Sequence, residues 1–91
     1  MPLPLILTDE FKKDWKRLEK KHYDYSAIEE VVKYMQESVP LPGKYRDHAL
    51  SGNLQGWRDC HVDHNWLLIY KITADGVILA RTGNHKDLLG K

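Results

Sequence analysis

Long apolar runs, a second cysteine and a clear excess of either charge are all missing from this 91-residue chain. No stretch approaches the roughly 20 apolar residues of a membrane-spanning helix, so a soluble protein with no membrane association is expected. Cys60 is the sole cysteine; it excludes an internal disulfide and fits a reducing compartment, which makes the cytoplasm the expected location. The start, MPLPLILTDEF, has neither a positive segment before its short apolar run nor a small-residue cleavage site after it, and reads as a strand rather than a signal peptide. The formal net charge is only +1, so any nucleic-acid binding must rest on local clusters rather than on bulk charge. What is present, 42% hydrophobic and 30% charged residues, is an ordinary globular balance. It suffices for one modest core, and residues 1–91 are expected to form a single domain.

Residues 3–7 suggest a short strand, with Pro4 favouring an edge or strand-start position. Thr8 then caps a helix over 9–21, in which Phe11, Trp15 and Leu18 recur at helical spacing and Asp9 and Glu10 occupy the favourable first turn. Lys12, Lys16 and Lys20 form one row on this helix, and Lys13, Arg17 and Lys21 form the next. The plain interpretation is a solvated face balanced by Asp14 and Glu19; the functional one is contact with phosphates. A second helix over 26–38 is expected from Ile28, Val31, Val32 and Met35, with Ser26 and Glu29 at capping-box spacing, and VPLPG ends it. Only HYDY separates the helices, which predicts an antiparallel hairpin. Beyond residue 43 the pattern becomes strands: YRDHAL, WRDCHVD, the continuous apolar run WLLIYKIT typical of a central strand, and VILART, with Asp75-Gly76 as the last turn. The order β-α-α-β-β-β-β specifies an α+β fold, a helical hairpin on a largely antiparallel sheet.

A two-residue turn at His64-Asn65 would place Asp63 opposite Trp66 and Asp59 opposite Tyr70. With the Asp75-Gly76 turn, Tyr70 in turn opposes Arg81. Asp59, His61, Tyr70 and Arg81 are then expected on one face, with His48 and His85 near it, while Cys60, Val62, Leu67, Ile69, Ile78 and Ala80 meet the helices. Several imidazoles, a carboxylate and a guanidinium, with no serine or cysteine nucleophile beside them, suit RNA cleavage, where the substrate's own 2′-hydroxyl attacks. Imidazole exchanges protons near neutrality and arginine steadies the phosphorane. As isolated residues, the histidines read as ordinary strand residues, and Arg58 with Asp59 as a local ion pair. Cys60, His61, His64 and His85 offer metal-ligand atoms, but no CxxC or HExxH spacing organises them, so no metal or other cofactor is expected.

The run LPLPGKYRDHALSGNLQGWRDCHVDHNWLLIYK, followed by RTGNHKDLLG, closely resembles the YafQ branch of the RelE/ParE toxin superfamily, the toxin halves of bacterial type II toxin-antitoxin modules. The resemblance covers nearly the whole chain. It implies a metal-independent, ribosome-dependent endoribonuclease that cuts messenger RNA in the ribosomal A site. By motif, His48, Asp59, His61 and His85 fall on catalytic positions of such toxins and Arg81 on a phosphate-contacting one. Basic contacts to ribosomal RNA would come from Lys12, Lys13, Lys16, Arg17, Lys20, Lys21, Lys44 and Arg46. An antitoxin partner is implied, with operator DNA bound only through the complex with it. Two positions depart from the pattern: Asn65 stands where an acidic residue is usual, and Leu89 where an aromatic one often lies. The alternatives are a ParE-like toxin that poisons DNA gyrase, which the histidine and acid set disfavours, and a relic with weakened catalysis.

Overall fold

The structure is a computed structural model and describes residues 2–21 and 23–89, the side chain of Leu89 excepted. The chain runs β1 (Leu5–Leu7), α1 (Asp9–Lys20), α2 (Tyr25–Gln36), β2 (His48–Ala49), β3 (Arg58–Asp63), β4 (Trp66–Thr73), β5 (Gly76–Gly83) and α3 (His85–Leu89), with 3₁₀ turns at Gly43–Tyr45 and Gly52–Leu54. The strands make one sheet in the order β1-β5-β4-β3-β2. β1 pairs with β5 in parallel and the other neighbours are antiparallel. The α+β class and the edge position of the Pro4 strand therefore stand as expected. The run WLLIYKIT is the middle strand.

Thr8 organises the first turn of the chain path. Its side chain accepts from the Phe11 amide at 3.0 Å, which caps α1, and its hydroxyl reaches the carbonyl of Ala80 at 2.8 Å. A side-chain cap of this kind contributes about 1 kcal/mol. For α2 the expected Ser26–Glu29 box gives way to Asp24, whose carboxylate accepts from the Ser26 amide at 2.9 Å and from its hydroxyl at 2.7 Å. A charged acceptor two residues upstream complements the positive helix end better than the serine hydroxyl does. The link between the helices contains His22, which lies outside the described residues. α1 rests mainly on β5 and α2 on β3 and β5, so the sheet holds the pair more than direct contact between the helices does.

Two bulges change the expected register. The His64-Asn65 turn leaves Asp63 opposite Trp66 as predicted, but Val62 is then inserted, so that Asp59 pairs with Ile69 and Arg58 with Tyr70. On the other side Ala80 is inserted between Leu79, which pairs with Tyr70, and Arg81, which pairs with Ile69. The Ala80 carbonyl displaced there is the one taken up by Thr8. The last turn is Ala74-Asp75 rather than Asp75-Gly76, since Thr73 pairs with Gly76. Gly76 opens β5 at φ +154, and a Cβ there would lie 2.5 Å from the Pro4 carbonyl, so glycine is what lets β1 dock.

Directly paired residues point to the same face. The core face consequently carries Cys60, Leu68, Tyr70, Val77 and Leu79, packed with Phe11, Leu18, Ile28, Val31, Val32 and Met35 from the helices. Cys60 and Val62 join this core as expected. Leu68 and Tyr70 replace Leu67 and Ile69 on that face, and Val77 and Leu79 replace Ile78 and Ala80. Tyr70 is therefore removed from the predicted site face: it is a core residue whose hydroxyl donates to Asp47. Burial of the Cys60 thiol is complete and pushes its pKa up.

Candidate active site

The same register that withdraws Tyr70 brings four other positions into one line. His48 pairs with Asp59, Asp59 with Ile69, and Ile69 with Arg81. His48, Asp59 and Arg81 thus share a cross-strand row on one face, and His61 lies two residues along β3 on the same side. At about 4.8 Å per strand, Asp59 and Arg81 are roughly 10 Å apart along that row.

His48 has a polar neighbour at each ring nitrogen. Its Nδ1 lies 2.8 Å from the Arg46 carbonyl, an acceptor only, so Nδ1 carries the proton. Nε2 faces Asp59 Oδ2 at 3.5 Å. With Nδ1 already protonated, that approach is attractive only when a further proton resides on the pair, on Nε2 or on the carboxyl. Asp59 is 2% exposed and its Oδ1 has no hydrogen-bond partner among the described residues. Burial raises the Asp59 pKa, with the nearby histidines pulling the other way. The segment leading to His48 is anchored by Asp47, which receives both Nε and Nη2 of Arg58 at 3.0 Å as well as the Tyr70 hydroxyl.

His85, at the start of α3, stands edge-on to His61 with ring centroids 5.5 Å apart. Desolvation holds the His61 pKa below the usual imidazole range, and the neighbouring His85, Arg46 and His48 act in the same direction against Asp59. Nδ1 of His85 lies 3.2 Å from Asn65 Oδ1. The amide oxygen only accepts, which assigns the proton to Nδ1 and leaves Nε2 as the free acceptor of the neutral ring. Asn65 itself sits in the left-handed region at φ 54, in the turn between β3 and β4. Asparagine tolerates that conformation better than most residues.

An open cleft of about 870 Å³ is lined by His61, His64, Asn65 and His85 together with Lys44, Arg46 and Glu30, while His48, Asp59 and Arg81 are not part of its lining. Lys44 and Arg46, predicted from the sequence as RNA contacts, are both exposed there. Lys12, Lys13, Lys16, Lys20 and Lys21 are exposed as well. Arg17 is different: its Nη2 is engaged by Asp14 at 3.2 Å and by Asp87 at 3.7 Å. Asp14 was expected on the solvated face and instead is 3% exposed, because it turns under α1 to bind Arg81 through Nε at 2.6 Å and Nη2 at 3.2 Å. That bond raises the Arg81 pKa further. The side chain of Leu89 lies outside the described residues. Among the described residues, no group of three or more His, Cys, Asp or Glu side chains is arranged to hold a metal ion.

The family model for the YafQ toxin, a bacterial toxin of type II toxin-antitoxin systems, matches residues 4–90. The chain belongs to the YafQ toxin family. It is 38% identical over 82 residues to the mRNA interferase toxin YafQ of Escherichia coli K12, covering 89% of each chain. Its structure is similar to that of YafQ in the E. coli DinJ-YafQ toxin-antitoxin complex, with a TM-score of 0.88 and 34% identity over 99% of this chain and all of the other. A metal-bound toxin from Helicobacter pylori is also similar, with a TM-score of 0.87 and 34% identity over 98% of this chain and 100% of that one. The order β-α-α-β-β-β-β predicted from the sequence is the order found, with the short α3 that carries His85 added after it. Asn65, singled out in the sequence as a departure from the family pattern, meets His85 here, whereas Asp47 and Asp14 were not expected in the site's framework. For Asp14 the signal was present: it lies between Phe11 and Leu18 on the buried stripe of α1, where a carboxylate needs a partner.

Proposed function

We propose that this chain is the toxin of a type II toxin-antitoxin pair and acts as an mRNA interferase, cleaving messenger RNA on the ribosome by attack of the 2′-hydroxyl on the adjoining phosphate. The observation that supports this best is the pairing of His61 with His85 in a cleft that also presents Lys44 and Arg46, with the His48–Asp59 pair next to His61 on β2 and β3. The reaction needs one proton removed and one supplied. His85, with Nδ1 tied to Asn65, offers Nε2 as the base that takes the 2′-hydroxyl proton, with neutral His61 beside it. A proton on the His48–Asp59 pair would be available to the departing 5′-oxygen. Arg81, fixed on the same row, neutralises charge on the phosphorane. The products are a 2′,3′-cyclic phosphate and a free 5′-hydroxyl, so atoms and protons balance with no added cofactor.

Exposed lysines of α1, with Lys44 and Arg46, supply the sites for ribosomal RNA. An antitoxin neutralises the toxin, as DinJ assembles with YafQ in the E. coli complex, and operator DNA is bound only through the antitoxin. The test is to map messenger RNA 5′ ends in a translating extract after adding the purified protein or its His85→Ala variant. Cuts within ribosome-engaged codons, lost in the variant, are expected. Intact messages in an extract that the protein still inhibits would overturn it, and growth arrest with intact messages would favour gyrase as the target.

A further inference from the structure

We infer that Asp14 is a positioning residue for RNA cleavage: through its two arginines it fixes the Arg81 guanidinium on β5 and ties α3, which carries His85, to α1. The inference rests on the function proposed above and adds a residue remote from the histidines. Asp14 accepts four bonds, from Arg81 Nε at 2.6 Å and Nη2 at 3.2 Å, from Arg17 Nη2 at 3.2 Å and from the Thr82 amide at 3.2 Å. The two bonds to Arg81 set the plane of its guanidinium, because a carboxylate fork engages a guanidinium edge in a fixed orientation. They consume Nε and Nη2 and leave Nη1 for a phosphate oxygen.

The second branch passes along Arg17 to Asp87 of α3, with Nη2 of Arg17 3.7 Å from Asp87 Oδ2. It crosses β5 at Gly83, where a Cβ would come within 3.4 Å of Arg17 Nη2 and 3.5 Å of the Asp87 Cβ. Glycine leaves room for the guanidinium between strand and helix. α3 spans only His85–Leu89, too short to hold itself in place by its own hydrogen bonds, so an external tie bears directly on where His85 stands.

Stability alone does not call for this arrangement. Asp14 occupies a buried place on the apolar stripe of α1 between Phe11 and Leu18, where a well-packed hydrophobic side chain serves folding as well or better than a buried ion pair. The Nε of Arg17 is buried with no partner among the described residues, a cost that a purely structural bridge would not be expected to carry. Both branches end at groups assigned to the chemistry.

The test is single-turnover cleavage of a defined message on programmed ribosomes, with wild type, Asp14→Asn, Arg81→Ala, the double variant and Arg81→Lys, and thermal unfolding of each protein. Asp14→Asn keeps the shape and removes the charge. It is expected to slow cleavage about tenfold to a hundredfold, the scale of a misplaced catalytic group, without changing the ribosome concentration at half-saturation. In the Arg81→Ala background the same change is expected to have much less effect than in wild type, since residues acting through one another are not additive. Cleavage by Asp14→Asn at the wild-type rate, or full multiplication of the two effects, would overturn the inference. Should Asp14→Asn fail to fold, Arg81→Lys decides: it keeps the charge but loses the fork, so a rate near that of Arg81→Ala supports positioning and a wild-type rate refutes it. Failure of the wild type to cut any message would instead overturn the proposed function itself.

Discussion

Asn65 and Asp59 show how single side chains set the proton inventory of the site. A carboxylate at position 65 would accept the same bond from His85 Nδ1 that the amide accepts at 3.2 Å, but would also stabilise the imidazolium electrostatically. Asn65→Asp is therefore expected to shift the acid limb of the cleavage pH profile upward, measured as rate against pH on programmed ribosomes. Asp59 makes the opposite case, a carboxyl whose burial raises its pKa. In the folded state its proton is retained to higher pH than in the unfolded chain, so its contribution to stability is present below the unfolded value, near 3.8, and is lost as pH rises through the folded value. Asp59→Asn removes that loss. The variant is expected to melt a few degrees higher than wild type at pH 7, with the gain vanishing as pH falls below about 4, while cleavage is strongly reduced; melting curves across that range check it. His48, Asp59, His61 and His85 were legible as a candidate set because their residue types suit one reaction and their motifs resemble the family's. Asp14 was passed over although its place on the apolar stripe of α1 marks it, because a carboxylate on a lysine-rich helix also reads as charge balance.

The elements were more legible than their register. Thr8 with Phe11, Trp15 and Leu18 determines α1 almost to the residue, and α2 and the central strand follow from periodicity. What periodicity cannot supply is an inserted residue: Val62 and Ala80 each add one, and neither carries a composition signal of its own. The two insertions exchange Tyr70 for Ile69 between Asp59 and Arg81, and so move a phenol out of the site and into the core. α1 also carries a prediction at this scale. Lys12, Lys16 and Lys20 lie on one exposed row, and their simultaneous replacement by glutamine is expected to weaken ribosome binding. It should also flatten the dependence of log affinity on log salt by about 0.7 for each phosphate no longer neutralised. An unchanged slope in a salt titration would assign ribosome binding to another surface, with Lys44 and Arg46 at the cleft as the next to test.

The whole molecule has a radius of gyration of 12.3 Å, against about 12 Å for a compact chain of its length. One core joins both helices to the sheet, and its aromatic side chains bridge them: Trp15 stacks on Phe11 at 6.4 Å and on Trp66 at 6.3 Å, and Tyr23 meets Trp66 edge-on at 4.9 Å. Tryptophan fluorescence consequently reports the docking of α1 on the sheet, while far-ultraviolet dichroism reports the elements themselves. Since a single core serves both, the two signals are expected to change together in one urea transition; separate midpoints would reveal α1 and the sheet unfolding independently. At this scale the near-neutral charge is unevenly placed: only Asp14 and Asp59 are buried among the described acidic groups. Asp14, Asp47 and Asp59 face arginines or histidines, whereas the lysines of α1 stay outside.

The burial of Cys60 has a practical side. Its thiol is fully enclosed in the core, its pKa is raised, and it is the only cysteine in the chain, so it is nearly inert toward alkylating reagents in the folded protein. Any cysteine introduced on the surface becomes the single reactive one, with no need to remove the native residue. A fluorophore at Lys20 would then follow ribosome entry in real time, and one at Lys86 would report the setting of the short helix that bears His85.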